Sequence, residues 1–280
     1  MIDLHVHSTA SDGTFTPEEL AREGREFALM ALTDHDNSDG VADFLAESHR
    51  LDVSAPRLAG VELSVNPGEG YHKFHLLGLG FDPAAVPLQK LMRVIREGRE
   101  DRNQRTFRKL AELGMPLEYE EVRKYAQGAV MARPHFARAL VAHGWAKDVK
   151  DAFDRILGDG CPAHLPRFRA EPADAIAAIH TSGGIAVMAH PRFWTSDPQA
   201  LRRGLARLRE VGLDGIEAYY QINAPHETLD HLAAARELNL LITAGSDFHG
   251  ANKTAITLGM NIPDEKDLID ALLAKIAVYR

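Results

Sequence analysis

Short apolar runs alternate with longer amphipathic stretches through most of the chain, the pattern of strands separated by helices in a parallel α/β fold. The runs at residues 2–7, 28–33, 58–64, 73–79, 185–189, 215–219 and 240–244 predict seven strands. Helix signals fall between them. Thr16, Pro17 and Glu19 read as an N-cap, a first-position proline and the acidic partner of a capping box. Pro172 opens another helix, which Gly183-Gly184 ends, and Pro225 opens one running toward Leu238. A last amphipathic helix is expected from Glu265 to Ala277.

The rhythm breaks between His75 and His190. Residues 84–169 carry helical patterns and no convincing strand: Leu88, Leu91, Met92 and Ile95 recur at helical spacing, and Arg133-Pro134-His135 reads as a helix entry. The expected organisation is a barrel built from residues 1–83 and 170–280, interrupted by a helical insertion at 84–169.

Composition changes little in this picture. A hydrophobic content of 45% and a charged content of 26% are ordinary for a soluble enzyme, and no apolar run is long enough to cross a bilayer. Met1 leads directly into the first strand, leaving no room for a cleaved signal, and Cys161 is a single cysteine. Both point to a reducing cytoplasm, with Cys161 expected to be buried and inert. A net charge of −8 argues against a binder of duplex nucleic acid, which needs cations against phosphate. No signal for an oligomeric state is present.

The 14 histidines change the picture more. His5 and His7 lie two residues apart on the first strand, so both rings leave the same face while Ile2, Leu4 and Val6 take the other. Standing alone, they would read as a hydrogen-bonded pair. They are not alone. The second strand ends in Thr33-Asp34-His35-Asp36, the third carries Glu62, the fourth His75, the fifth ends in Ala189-His190-Pro191 and the seventh in Ser246-Asp247-Phe248-His249. In a parallel β/α barrel the C-terminal strand ends converge on one face, where active sites form. Packing that many ionisable groups together without partners would be costly, and divalent ions resolve the cost.

These segments, with Ser11-Asp12-Gly13, resemble the polymerase and histidinol phosphatase (PHP) family in the right order from Ile2 to His249. The resemblance implies a distorted seven-stranded β/α barrel holding three divalent ions, with Mn²⁺ favoured and Zn²⁺, Fe²⁺ and Mg²⁺ as the alternatives. It implies one ion on His5, His7, Glu62 and Asp247, a second on Glu62, His75 and His190, and a third on Asp12, His35 and His249. Many relatives carry histidine where this chain has Asp12, a harder oxygen ligand that favours manganese or magnesium. Asp34 is expected to cap a turn rather than to support a ligand.

Clustered ions of this kind support attack by a bridging hydroxide on phosphorus, with the ions also neutralising the phosphoryl oxygens. Ser8 is placed to meet a phosphate oxygen or to cap its turn, and Asp36 and His135 are candidates for protonating the leaving group. Residues 93–138 hold 11 Lys/Arg against 7 Asp/Glu, with arginine at every third position from Arg93 to Arg108. That spacing drifts around a helix, so most of these arginines are expected to be solvated. Arg133 and His135, at a helix entry, and Arg169 are the better phosphate contacts.

The insertion segments Arg133-Pro134-His135-Phe136, Ala152-Phe153 and Gly160-Cys161-Pro162-Ala163 are similar to the nucleotide-acting branch of the family. This implies removal of the 3′-phosphate from a 3′,5′-bisphosphonucleotide such as pAp, giving AMP, with the 5′-phosphate anchored in the insertion. A 5′-to-3′ exoribonuclease on short 5′-phosphorylated RNA uses the same ions and anchor. A non-catalytic metal-binding module is the reading from another class, disfavoured because every mapped position holds a competent ligand. Phe193 and Trp194 could stack on a base, but packing under a loop explains them as well. His49, His72, His143, His164, His180, His226 and His231 read as ordinary surface or structural histidines.

Overall fold

A computed structural model describes residues 1–69, 71–72, 74–126 and 130–280. Seven strands form one sheet in sequence order: β1 (Ile2–Asp3), β2 (Leu29–Leu32), β3 (Arg57–Ser64), β4 (His75–Leu79), β5 (Ile185–Met188), β6 (Gly215–Tyr220) and β7 (Leu241–Gly245). Ten α-helices are described: α1 (Pro17–Glu23), α2 (Val41–Arg50), α3 (Val86–Glu112), α4 (Tyr119–Arg123), α5 (Arg133–Ala142), α6 (Val149–Ala152), α7 (Pro172–Thr181), α8 (Pro198–Glu210), α9 (Pro225–Glu237) and α10 (Glu265–Tyr279). Past β1 the chain runs beside the residues after β7, through Leu4 N–Ala244 O (3.0 Å), Asp247 N–His5 O (2.8 Å) and His7 N–Phe248 O (3.0 Å). These bonds nearly close the sheet into a barrel.

Two differences from the sequence expectation have local causes. The barrel is not wholly parallel, because β4 runs antiparallel to both β3 and β5. Only residues 65–74 join β3 to β4, too few for the crossover that a parallel neighbour requires. His75 therefore opens its strand instead of ending it, and the reversed direction brings it to the same rim as the C-terminal ends of the others. Lys73, expected at the start of this strand, lies outside the described residues. The first strand is also shorter than expected. The His5 amide donates to Asp3 Oδ1 (3.2 Å) rather than to a neighbouring strand, leaving an isolated bridge between Val6 and Phe248.

The capping signals fold as chemistry dictates. Thr16 Oγ1 accepts from the Glu19 amide (3.2 Å), and Glu19 Oε2 accepts from the Thr16 amide (2.8 Å), so two otherwise orphaned helix donors are satisfied. The chain forms two compact units, residues 1–93 with 170–280, and residues 94–169. In the first, Leu29, Ala31, Leu77, Leu79, Ile185 and Val187 pack with Leu272 and Ile276 of α10. In the second, Leu110, Leu117, Val122, Phe136, Leu140 and Ile156 form a separate all-helical core. No helix among the described residues is long and apolar enough to cross a membrane.

Candidate metal centre

Nine side chains meet at the rim of the barrel unit. Glu62 stands at the middle. Its Oε2 lies 3.4 Å from His5 Nε2, 3.3 Å from His7 Nε2 and 2.8 Å from His35 Nδ1. Its Oε1 lies 2.8 Å from His190 Nε2 and against His75 Nδ1. Asp247 Oδ1 approaches His7 Nε2 (3.4 Å) and His5 Nε2 (3.7 Å). Asp12 reaches His249 Nε2 (3.2 Å) and His35 Nε2 (3.7 Å). Every metal-ligand position expected from the sequence is in this one cluster.

Backbone conformation helps aim them. His190 and Asp247 lie two residues beyond β5 and β7 and have φ of 28° and 60°, and Asp36 beyond β2 has 54°. A left-handed backbone is uncommon outside glycine and concentrates at functional sites. Here it turns the chain sharply at the strand ends, so that successive side chains point into the rim instead of along the barrel wall.

The cluster fits divalent ions on a simple test of satisfaction. His5 Nε2, His7 Nε2, His35 Nδ1, His190 Nδ1 and Glu62 Oε2 are all buried and make no hydrogen bond of acceptable geometry. Buried polar atoms almost always have partners, so several orphans in one place call for an explanation. Four of the five are lone-pair atoms aimed at one another across 2.8–3.4 Å. A cation between them satisfies all at once. Four groups have ligand atoms within 4.8 Å of one another: His7-Asp12-His35-His249, His5-His7-Asp247, His5-Glu62-His190 and His35-Glu62-His75. In this grouping His35 joins Glu62 and His75 as well as Asp12, a sharing that the ligand sets implied by family resemblance did not contain.

Electrostatics tell the same story. Burial opposes a charge on His5, yet Glu217, Glu62 and Asp247 hold its pKa well above the ordinary imidazole value. Burial likewise opposes ionisation of Glu62, Asp12 and Asp247, but the surrounding imidazoles, with Lys253 at Asp247, keep all three well below the usual carboxylate range. Such carboxylates stay negative, as carboxylate ligands of divalent cations must.

Three supporting residues were not found from the sequence. Glu217, buried in β6, accepts from His5 Nδ1 (2.9 Å). Tyr220 and Lys253 donate to Asp247 Oδ2 at 2.8 and 2.6 Å. An acidic residue inside the otherwise apolar run Gly215-Ile216-Glu217-Ala218 was the available signal for Glu217.

Other expected residues have different surroundings. Ser8 Oγ donates to Asp34 Oδ2 (2.6 Å) and accepts from the Ala10 amide (3.1 Å), which places Ser8 in its turn. Asp34 also takes the Ser8 amide (2.8 Å) and the Ser11 hydroxyl, as expected of a cap. Asp36 is fully buried, and its carboxylate accepts from the Ser64 amide (2.7 Å) and hydroxyl (3.1 Å). That engagement argues against Asp36 as a proton donor to a leaving group. His135 lies in the helical unit, where its Nδ1 accepts from the Ala132 amide (3.0 Å) at the start of α5. Trp194 stacks on Tyr71 at 4.1 Å and donates to Pro67 O (3.0 Å), so packing accounts for it. Phe193 is 38% exposed and sets its edge 5.3 Å from the His190 ring. Cys161 is half-buried rather than buried, donating to Asp154 O (3.2 Å).

Within the helical unit, arginines gather. Arg102 is 4% exposed; burial, then Arg99, Arg167, Arg133 and Arg169, push its pKa down to about 9. Arg99 and Arg102 are one helical turn apart on α3, so two of the regularly spaced arginines are not simply solvated. Arg133 itself contacts Leu157 O (3.4 Å) and Asp159 (3.6 Å). Like-charged guanidinium groups therefore lie close enough to Arg102 to oppose its charge.

A rim of imidazoles and carboxylates sharing a buried glutamate, on a seven-stranded mixed barrel, defines a metal-dependent hydrolase class. The chain belongs to the PHP family: the PHP domain pattern matches residues 3–158. It is 34% identical to a 3′,5′-nucleoside bisphosphate phosphatase of Chromobacterium violaceum over 92% of this chain and 90% of that protein. It is 35% identical to a 5′-3′ exoribonuclease of Haemophilus influenzae over 97% of this chain and 96% of the relative. Among solved structures, an amidohydrolase from Chromobacterium violaceum with bound sulfate and no metal superposes with a TM-score of 0.81. That match is at 32% identity and covers 96% of both chains.

Proposed function

We propose that this chain is a phosphatase that removes the 3′-phosphate from 3′,5′-bisphosphonucleotides, converting pAp to AMP and phosphate. The carrying observation is the set of buried, mutually facing ligand atoms around Glu62, an arrangement suited to divalent cations. Divalent ions bound there supply a water of lowered pKa and positive charge against the phosphoryl oxygens. Three ions, with manganese favoured by the oxygen ligand Asp12, is the complement this ligand set supports. Glu62 and Asp247 hold negative charge in the site, the imidazoles present neutral lone pairs once loaded, and Lys253 and Tyr220 fix Asp247. Neither Asp36 nor His135 is assigned the leaving-group proton. A soluble, cytoplasmic setting completes the reading.

The arginines around Arg102 support a substrate with a second phosphate, and we assign the 5′-phosphate to this group, with Arg133 and Arg169 among its ligands. The names of the relatives support nucleotides as the substrate class. The exoribonuclease reading draws on the same two features and on the Haemophilus relative.

A substrate panel with added manganese tests the proposal: pAp, 5′-phosphorylated dinucleotides and histidinol phosphate. Fastest turnover of pAp is expected. Faster release of mononucleotides from the dinucleotides would replace it with the exoribonuclease reading, and metal uptake with no turnover of any ester would leave only a metal-binding module. In the same assay Arg133→Ala should lower kcat/KM on pAp by roughly 10- to 100-fold, the worth of a charge-assisted hydrogen bond, and leave an aryl phosphate almost unaffected. Equal losses on both would remove Arg133 from the anchor.

A further inference from the structure

We infer that Glu217 is a positioning residue that sets the tautomer of His5 and the backbone of His190, and so controls one part of the metal centre separately from the rest. The inference rests on the reading that the rim cluster holds metal ions.

Glu217 is fully buried in β6 and spends its two oxygens on residues just beyond two different strands, β1 and β5. Oε1 accepts from His5 Nδ1 at 2.9 Å. Oε2 accepts from the backbone amide of His190 at 2.6 Å, at the residue where φ is 28° and ψ 66°. With Nδ1–H committed to a carboxylate, the neutral His5 ring that binds a cation carries its lone pair on Nε2. That is the atom facing Glu62 Oε2 (3.4 Å) and Asp247 Oδ1 (3.7 Å). The second bond holds a sparsely populated backbone conformation that aims the His190 ring at Glu62.

The geometry is also built around this carboxylate from the far side. A Cβ at Gly245 would lie 2.3 Å from both Glu217 Oε1 and His5 Cβ, so the absence of a side chain there lets the pair meet. The register of β6 against β7 shifts between Glu217 and Tyr219, a bulge beside the site.

Acceptor count makes the role testable. A carboxylate can accept from both the His5 ring and the His190 amide; a glutamine of the same shape has one acceptor oxygen and an NH₂ group that only donates. In Glu217→Gln one of the two donors must lose its partner. If the oxygen stays with the His190 amide, the NH₂ faces His5 Nδ1 and favours the opposite tautomer, with a proton on Nε2. Two ligand groups contain His5 or His190, namely His5-His7-Asp247 and His5-Glu62-His190. The groups His7-Asp12-His35-His249 and His35-Glu62-His75 contain neither.

The experiment loads full-length wild type and Glu217→Gln with zinc or manganese, counts bound metal by elemental analysis and titrates it by calorimetry. The zinc-loaded proteins are also compared by ¹⁵N NMR of the histidine rings. Wild type is expected to show His5 protonated on Nδ1. The variant should bind part of its metal about 10- to 100-fold more weakly, with the rest at wild-type affinity. Its His5 should lose the Nδ1–H signature. Full metal content at unchanged affinity, with an unchanged His5 tautomer, would overturn the inference. If the variant does not fold, the wild-type spectrum decides alone: His5 protonated on Nε2 in the zinc form overturns it. A wild type that takes up no metal overturns the underlying metal reading, a failure visible before any variant is made.

Discussion

The two ends of the barrel each set histidine beside a buried carboxylate, and they resolve the charge in opposite ways. At the end away from the ligands, Asp214 just before β6 accepts four bonds: from the Ala186 amide (2.8 Å), His180 Nε2 (2.7 Å), the Tyr279 hydroxyl (3.0 Å) and Lys275 Nζ (3.2 Å). Nothing is left over. At the rim, Glu62 Oε2 makes no hydrogen bond although three imidazole nitrogens crowd it at 2.8–3.4 Å, and those nitrogens make none either. Histidine and a buried acid alone thus do not mark a metal site. The mark is a set of lone pairs that the protein leaves facing one another.

The largest expected effect tests the rim. His190→Ala or Asp247→Ala should lower turnover by about 10³-fold, the scale of losing several kcal/mol of charge stabilisation, with metal content reduced in step. In chelator, where no ion contributes, either variant should melt within a few degrees of wild type. Wild-type turnover in both would remove these residues from the metal centre and collapse the contrast between the ends.

Asp214→Asn is the counterpart at the saturated end. Removing one member of a buried, hydrogen-bonded ion group costs about 3 kcal/mol, roughly 10 °C in Tm for a chain of this size. The folded fraction should keep full metal content and turnover. The pH dependence has a definite sign. Burial opposes ionisation of Asp214, but His180, the Ala186 amide and Lys275 together hold its pKa below the ordinary 3.8. An acid depressed in the folded state contributes stability above its unfolded pKa and loses it as pH falls through the folded value. The gap in stability between wild type and Asp214→Asn should therefore be full near neutrality and close below about pH 4. A constant gap throughout would show that Asp214 acts through packing instead of charge.

What could be read from the sequence divides along the same line. The nine candidate ligands were legible because alternation puts His5 and His7 on one face, most of the others fall near strand ends, and the motif order resembles the PHP family. Capping of α1 by Thr16 was equally local. The direction of β4 was not legible from its own residues; it follows from the brevity of the 65–74 connection. Glu217 and Tyr220 were hidden because their partners, His5 and Asp247, lie 212 and 27 residues away, and a strand pattern alone does not say which neighbour a buried polar group meets. Arg99 and Arg102 illustrate a third case. Their helical spacing was visible, but the burial of Arg102, among guanidinium groups from distant segments, depends on tertiary packing that the spacing alone does not specify.

The smallest predicted effects sharpen the comparison most, because the same atom is removed at both ends. Tyr220 and Tyr279 each donate a hydroxyl to an aspartate, at 2.8 Å to Asp247 and 3.0 Å to Asp214. Tyr279→Phe leaves Asp214 with three donors and should cost about 1 kcal/mol of stability, with metal affinity untouched. Tyr220→Phe leaves Asp247 Oδ2 with Lys253, so the metal-free protein should lose little stability. The Asp247 carboxylate becomes freer to rotate, however, and Oδ1 is no longer held toward His5 and His7. Metal affinity should fall about tenfold, at the lower end of the effect of losing an outer partner of a ligand. Calorimetric metal titration and thermal melts in chelator separate the outcomes. If the two variants lose equal stability and neither loses affinity, hydroxyl-to-carboxylate bonds serve the same purpose at both ends. Asp247 would then be held for the fold, as Asp214 is.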